Sequence, residues 1–102
     1  MVVNLLFETI EILKANGKTL NEIIFVTDGR NCHMGTKGYL RTLLDVDYDI
    51  GWGAVEINLK LKLVGEDFWL ERYEYDGSEQ WVFKQKPQYL NTSCNSIKVR
   101  ED

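Results

Sequence analysis

The chain lacks the long apolar run and the basic leader that membrane and secreted proteins carry. No apolar stretch among its 102 residues approaches the ~20 residues that a transmembrane helix requires. The N-terminal residues are apolar in part, but Asn4, Glu8 and Glu11 interrupt them and no basic segment precedes them. We therefore expect a cytoplasmic protein that does not contact a membrane. In that compartment the two cysteines, Cys32 and Cys94, are expected to be thiols.

An excess of basic residues is also missing. Acids outnumber bases sixteen to twelve, and the formal net charge is −4. A general nucleic-acid-binding protein would usually be basic, so direct binding to nucleic acid is not expected. The glycine-rich phosphate-binding motifs of nucleotide enzymes and the Gly-x-Ser-x-Gly motif of hydrolases are absent as well. No catalytic residues follow from motifs, and we expect a protein that is not an enzyme.

Length and composition are ordinary for one globular domain. The chain is 44% hydrophobic and 27% charged. We expect a single domain over residues 1–87 and a polar C-terminal tail over residues 88–102. The boundary lies at Pro87, because a proline cannot donate a hydrogen bond to a β-ladder.

The N-terminal half shows helical periodicity and turn signals. An amphipathic helix is predicted from apolar residues at three- and four-residue steps, namely Val3, Leu6, Phe7, Ile10 and Leu13. Thr19 to Glu22 has capping-box spacing, which predicts a short helical turn before a buried strand at Ile23 to Val26. The polar stretch from Asp28 to Gly38 is typical of a loop. Thr36 is expected to cap a short second helix over Lys37 to Leu44.

The C-terminal half is dominated by strand patterns. Apolar and polar residues alternate from Val55 to Leu63, which predicts a strand with one wet face. Two further strands, Phe68 to Tyr75 and Gln80 to Lys84, flank an Asp76-Gly77 hairpin turn. The predicted class is α+β: an N-terminal helix, a first strand, a short second helix, and a three-stranded antiparallel meander packed against the helices.

The first strand of the hairpin carries aromatic residues on both faces. Alternation places Trp69, Tyr73 and Tyr75 on one face and Phe68 on the other. If the Phe68 side packs under the helices, the three other aromatic residues form an exposed strip, and such residues are enriched in interface hot spots. The alternative is that both faces are partly buried, with Trp69 and Trp81 pairing across the strands. The sequence leaves both open.

Charge is distributed unevenly along the chain. Between Asp45 and Glu79 ten acids face three bases, a net charge of −7, so the remainder carries +3. An acidic face of this kind would steer the protein toward a basic surface. The alternative is that the acids keep a small protein soluble and protect a sheet edge. The predicted partner-binding residues are Asp47, Asp49, Glu66, Asp67, Trp69, Glu71, Tyr73, Glu74, Asp76 and Glu79.

The chain contains three distinctive runs, Asp47 to Gly53, Leu63 to Arg72 and Glu74 to Trp81. With these runs it resembles a family of small phage and prophage proteins. The shared features are a Trp-Leu-Glu-Arg run and an acidic, aromatic Asp-Gly-Ser-Glu hairpin. The resemblance covers about residues 1–87, and the chain departs from the family's pattern at Tyr73 and Gln80, where histidine and tryptophan are common. The family has no assigned activity, so the resemblance implies a phage context and no catalytic residues.

A zinc site is the alternative interpretation of the central loop. Cys32, His33 and the distant Cys94 carry good zinc ligands, and a small core gains from a metal. The spacing is unfavourable, because adjacent residues of an extended chain point in opposite directions and no Cys-x-x-Cys pair is present. A buried thiol and a loop imidazole, or a cysteine nucleophile with His33 as its base, are the other interpretations. We expect no cofactor, with zinc as the alternative.

These patterns and the resemblance together predict a phage-encoded, non-enzymatic inhibitor of a host defence nuclease, similar to anti-CRISPR proteins. It would bind a basic surface of an RNA-guided CRISPR effector in the bacterial cytoplasm and block nucleic-acid loading or domain movement. Two alternatives remain: a zinc-binding or cysteine-dependent protein, and a structural or regulatory phage protein.

Overall fold

The computed structural model of the protein describes residues 1–49, 54–87 and 99–100. Within these residues two α-helices accompany seven strands that pair antiparallel, which confirms the predicted α+β class. Neither helix of this part of the chain has the length and apolar character that a membrane span requires.

The elements follow one another with short connections. In chain order they are β1 (Val2–Asn4), α1 (Leu5–Ala15), a 3-10 turn (Leu20–Glu22), β2 (Phe25–Thr27), β3 (Cys32–Met34), α2 (Lys37–Leu43), β4 (Asp47–Asp49), β5 (Lys62–Val64), β6 (Phe68–Tyr75) and β7 (Ser78–Gln85).

The main sheet has five strands in the order β3-β2-β5-β6-β7, and every neighbouring pair is antiparallel. The predicted meander is present as β5-β6-β7, and β2 and β3 extend it on the β5 side. A separate two-stranded ladder joins β1 to β4, with Val3 opposite Tyr48. This ladder brings the start of the chain against the acidic segment that follows α2.

The predicted loop from Asp28 to Gly38 contains a strand, so that prediction is partly wrong. The carboxylate of Asp28 accepts hydrogen bonds from the backbone N–H groups of Arg30 (2.9 Å) and Asn31 (2.7 Å). These two bonds lower the pKa of Asp28, the bond from Asn31 contributing most. They close a tight turn, and β3 can therefore return along β2 with Cys32 opposite Thr27.

The predicted strand from Val55 to Leu63 is also largely wrong, since only Lys62–Val64 forms a strand there. The backbone N–H groups of Glu56 and Ile57 donate to the carboxylate of Glu79, at 2.9 and 3.0 Å. A side chain therefore takes the place of a β-ladder in this stretch. Alternating hydrophobicity alone does not distinguish these two ways of satisfying the backbone.

Helix α1 is rotated relative to its predicted orientation. Its buried positions are Leu5, Thr9 and Leu13, whereas Phe7, which was expected in the core, is 65% exposed. Thr9 occupies the core instead, because its buried Oγ1 makes two hydrogen bonds there. It donates to the Leu5 carbonyl (2.7 Å) and accepts from Trp81 Nε1 (2.8 Å). A buried threonine is tolerated when its hydroxyl is hydrogen-bonded. A hydrophobicity scale ignores such bonds and therefore assigns this helix position to the surface.

The β6 register settles which face of the meander is buried. The side that packs with the helices carries Phe68, Leu70 and Arg72, each of which is less than 8% exposed. Trp69 is opposite Lys84 and Arg72 is opposite Trp81, so the two tryptophans lie on different faces. The alternative of cross-strand Trp69–Trp81 pairing is therefore wrong, and the strip of Trp69, Tyr73 and Tyr75 points outward.

We predict that Gly65→Ala destabilises the fold. A Cβ atom at Gly65 would lie 2.2 Å from Cε1 of Phe68, which is buried and stacked on Phe83 with ring centroids 5.4 Å apart. Because this ring cannot move away freely, the free energy of unfolding should fall by about 1–3 kcal/mol, measured by urea denaturation.

The matched control for this substitution is Gly38→Ala. A Cβ atom there, in α2, meets no described heavy atom within 4 Å. The control should leave stability unchanged or raise it by about 0.5–1 kcal/mol, because alanine favours the helix over glycine. Equal losses in the two variants would contradict the close packing of Gly65 against Phe68.

Candidate interaction surfaces

A buried ionic cluster lies on the inner side of the hairpin. We call Glu8, Tyr48, Arg72 and Glu79 the Arg72 cluster. The Arg72 side chain is fully buried, and its Nη1 is 3.5 Å from the Glu8 carboxylate. Its Nη2 lies 3.0 Å from the Tyr48 hydroxyl and 3.5 Å from Oε1 of Glu79. The cluster joins α1, β4, β6 and β7 through one guanidinium group.

Two aromatic rings lie close to the guanidinium group. Its Cζ atom lies 5.2 Å from the ring centroid of Tyr48 and 4.8 Å from that of Trp81. A cation within about 6 Å of an aromatic face is attracted by the ring quadrupole, most strongly when water is excluded. Nε of Arg72 has no hydrogen-bond partner among the described residues. The aromatic rings and the carboxylates therefore both stabilise the buried charge of Arg72.

The two carboxylates of the cluster also hold backbone groups. Glu8 accepts a hydrogen bond from the Tyr48 hydroxyl and one from the backbone N–H of Trp81 (2.9 Å). Glu79 is only 2% exposed, and besides Arg72 it accepts the N–H groups of Glu56 and Ile57. The expectation that Glu79 lies on the wet face is therefore wrong. It is a structural anchor, and a partner cannot reach it.

Tyr48 is the neutral member of the cluster. Burial, and then the hydrogen bond to Glu8, raise the pKa of Tyr48 to about 12, although the neighbouring Arg72 acts in the opposite direction. The phenol must keep its proton to donate to Glu8. The same oxygen accepts from Nη2 of Arg72, so one hydroxyl bridges the two charged groups.

The remaining predicted acids are spread over four places, of which the β4 end and the β5–β6 turn are the first two. At the β4 end, Asp47 accepts from the Asn4 amide (2.9 Å) and Asp49 from the N-terminal ammonium of Met1 (3.0 Å). In the β5–β6 turn, Glu66 is exposed and Asp67 pairs with Lys18 at 3.5 Å. These two pairs of acids lie on different elements, so they do not form the single acidic site that was predicted.

The hairpin turn uses the next two acids for local structure. Glu74 accepts the backbone N–H of Gly77 at 3.0 Å. Asp76 is exposed and adopts a positive φ of 51°, followed by Gly77 at 82°. Both residues thus have the left-handed conformation that a two-residue hairpin turn requires. The predicted Asp-Gly hairpin is confirmed, and Asp76 remains available at its tip.

On the outer face of the sheet, Glu71 is compensated by lysines. It pairs with Lys84 and lies 3.7 Å from Nζ of Lys62, and it accepts Nε1 of Trp69 at 3.2 Å. The hydrogen bond from Lys84 is the main reason that the pKa of Glu71 is lowered. Two lysines around one glutamate leave this central patch locally cationic. The aromatic face and the acidic segment therefore coincide less than the sequence suggested.

The outer face carries an aromatic and apolar surface. Tyr73 is 49% exposed and Tyr75 is 71% exposed. The strand register continues this surface across the sheet from Trp69 through Val64, Phe25 and Met34, each opposite the next on the neighbouring strand. We call Met34, Phe25, Val64, Trp69, Tyr73 and Tyr75 the outer face. Sequence reasoning identified the β6 members and missed the other three. The β3 strand with Met34 was not predicted, the strand with Phe25 was expected to be buried, and Val64 lies beyond the end of the predicted strand.

The predicted zinc ligands do not converge in the described residues. Cys32 and His33 are consecutive in β3, so they point to opposite faces of the sheet. Nδ1 of His33 donates to the Met34 carbonyl (2.8 Å), and its ring stacks on Tyr39 with centroids 3.7 Å apart. Cys94 lies outside the described residues. Within the described ranges no group of three His, Cys, Asp or Glu side chains is placed to hold a metal, and zinc stays a prediction.

Known proteins add no further constraint on this chain. No protein-family model, curated protein or solved structure matches it. The functional argument therefore depends on the surfaces described above and on the resemblance in the hairpin.

We predict that removing the Arg72 charge is strongly destabilising. Arg72→Met would leave the buried Glu79 without its counter-charge and Tyr48 without its donor, which should cost about 3–5 kcal/mol of unfolding free energy. Lys84→Met is the matched control, because it removes a half-exposed partner of Glu71 and should cost under about 1 kcal/mol. Chemical denaturation measures both, and comparable losses would contradict a special role for Arg72.

We also predict a specific loss of stability at high pH. The unfolded chain loses the Tyr48 proton near pH 10, whereas the folded chain keeps it until about 12. The contribution of the neutral phenol is therefore complete below pH 10 and is lost as the pH rises toward 12. Tyr48→Phe should be less stable than the native chain at pH 7, and the difference should narrow as the pH rises from 10 to about 12.

Ultraviolet titration of the five tyrosines provides the independent check. One tyrosine should ionise well above the others, and that component should be missing in Tyr48→Phe. A stability difference that stays constant up to the alkaline range would show that the hydroxyl is not protected in the folded protein.

Proposed function

We propose that the chain is a non-enzymatic interaction protein that binds another protein through its outer face. The observation that carries this proposal is the β6 register, which directs Trp69, Tyr73 and Tyr75 to one side of the sheet with Tyr73 49% and Tyr75 71% exposed. Tyrosine and tryptophan provide large, rigid contact areas and are enriched in interface hot spots. Their grouping on one open sheet face supports a binding role.

The outer face combines apolar and charged groups in the manner of an interface. Met34, Phe25 and Val64 extend the aromatic strip across the sheet. In its centre Glu71 is held between Lys62 and Lys84. Apolar anchors beside fixed charges provide affinity and orientation together.

Exposed acids outside this face supply a negative field. Asp47 and Asp49 lie on β4, Glu66 in the β5–β6 turn and Asp76 at the hairpin tip. With the net charge of −4, these groups favour approach to a partner that is basic around its binding site. Long-range attraction of this kind acts mainly on the association rate and weakens as salt increases.

The narrower proposal is a phage-encoded inhibitor of a host defence nuclease, similar to anti-CRISPR proteins, acting in the bacterial cytoplasm. Support comes from the hairpin resemblance to phage proteins and from the charge distribution. An RNA-guided nuclease has basic surfaces that track phosphate backbones. An acidic protein seated beside such a surface would compete with nucleic acid for it, or would block the movement of a domain.

The outer-face proposal is tested by partner capture from bacterial cells with intact defence systems, followed by mass spectrometry and titration of the captured protein. The double variant Tyr73→Ala/Tyr75→Ala should weaken binding at least about tenfold, as expected for interface anchors. Ile24→Ala, an apolar side chain of similar exposure (48%) at the residue before β2, is the matched control and should bind normally. Undiminished binding of the double variant, with unchanged melting temperature, would contradict the outer face.

The nuclease proposal needs its own test. A purified RNA-guided nuclease is assayed for DNA cleavage with the protein added before or after the nucleic acid. Blocked loading predicts inhibition only when the protein is added first, whereas blocked domain movement predicts inhibition in both orders. If captured partners include no nuclease and cleavage is unaffected in both orders, the defence role is wrong while the binding role stands.

A further inference from the structure

A second surface lies away from the outer face, between helix α1 and the start of strand β7. It is a groove of about 520 Å³, which we call the α1–β7 groove. Its lining residues are Val3, Asn4, Phe7, Glu8, Glu11, Ile12, Ser78, Glu79, Gln80 and Trp81. None of the predicted partner-binding residues except Glu79 belongs to it.

The walls of the groove are held in place by hydrogen bonds. Trp81 donates its Nε1 to Thr9 (2.8 Å) and its backbone N–H to Glu8 (2.9 Å), which ties β7 to α1. Asn4 caps the helix by accepting the N–H of Phe7 at 3.0 Å. The groove is therefore a preformed feature of the fold, and binding there needs no rearrangement of these elements.

The groove pairs apolar walls with carboxylates. Val3, Phe7, Ile12 and Trp81 supply apolar surface, and the Phe7 ring is left 65% exposed. Because Phe7 is exposed next to the apolar residues Val3 and Ile12 of the groove, an occupant could bury its ring together with them.

Charge in the groove has one sign. The lining acids are Glu8, Glu11 and Glu79, of which Glu79 is only 2% exposed, and no lining residue is a lysine or arginine. Arg72 lies behind Glu8 and Glu79 and partly balances them, whereas Glu11 is exposed and forms no ion pair among the described residues. The amide of Asn4 binds the carboxylates of two further acids, Asp45 and Asp47, at 2.9 Å each, so negative charge continues along this side.

The manner of recognition follows from the edge of the sheet. Strand β7 is an outer strand of the five-stranded sheet, and an open edge would normally invite a further strand. Here the Trp81 N–H is already occupied by Glu8. A strand added at this position would have to displace that bond, which favours recognition of a ligand by its side chains.

We propose that the α1–β7 groove binds a basic segment of a partner protein, with an arginine or lysine stem lying across Phe7 and the cationic end at Glu11. Long basic side chains combine an apolar stem with a charged tip, and a cation near a phenylalanine face gains further attraction. The inference rests on the proposal that this chain binds a protein, and it adds a basic contact separate from the aromatic outer face. Phosphate-bearing ligands and a second copy of this acidic chain do not match the charge.

The test uses fluorescence anisotropy of the full chain with a short labelled peptide that alternates arginine and leucine. An analogue with glutamate in place of arginine is the ligand control. The native chain should bind the basic peptide and not the acidic one, and increasing salt should weaken binding. Glu11→Lys and Phe7→Ala should each raise the Kd about tenfold.

Two variants elsewhere on the surface are the controls for Glu11→Lys and Phe7→Ala. Glu66→Lys makes the same charge change in the β5–β6 turn, and Ile24→Ala removes an exposed apolar side chain at the residue before β2. Both should leave the Kd within about twofold. Equal weakening by Glu66→Lys and Glu11→Lys would show that binding follows net charge, and the groove proposal would fail.

Failure of the groove and failure of the proposed function give different results. The proposal is overturned if the basic peptide does not bind the native chain, or if it binds with the same Kd after Glu11→Lys. Neither result affects partner capture through Tyr73 and Tyr75, which tests the proposed function. Melting temperatures accompany every variant, and if Phe7→Ala does not fold, Glu11→Lys with its control decides the question.

Discussion

The rest of the structure depends on the burial of one guanidinium group. The Arg72 side chain is fully buried, with the rings of Tyr48 and Trp81 and the carboxylates of Glu8 and Glu79 close to it. A charge in such a place is tolerated only when opposite charges and hydrogen bonds replace water. Because these partners come from three other elements, the requirement to satisfy Arg72 brings α1, β4 and β7 around β6.

This requirement also decides the character of both sides of the hairpin. With Arg72 inward, strand alternation directs Trp69, Tyr73 and Tyr75 outward, where the sheet presents them with lysine-bound Glu71. On the inner side the same hairpin, through Trp81, forms a wall of the α1–β7 groove. A single buried ionic cluster thus separates an aromatic surface from an acidic groove.

Local sequence patterns correctly predicted those turns and caps whose geometry depends on residues close together in the sequence. The Asp76-Gly77 turn, the Thr36 cap of α2 and the Thr19 to Glu22 turn are present, because turn and cap chemistry involves residues only a few positions apart. The α+β class and the β5-β6-β7 meander followed from periodicity. The pairing of β1 with β4 did not follow, because it depends on residues more than forty positions apart.

The sequence by itself determined the composition of the surfaces: an acidic chain, an aromatic strand and a tight hairpin. Only the tertiary structure decided where those groups lie. Glu79 and Asp76 carry the same charge three positions apart, yet Glu79 is buried against Arg72 and the N–H of Ile57 while Asp76 stays exposed. The physical reason is that the position of a carboxylate depends on the donors within its reach, and folding brings those donors from distant parts of the chain.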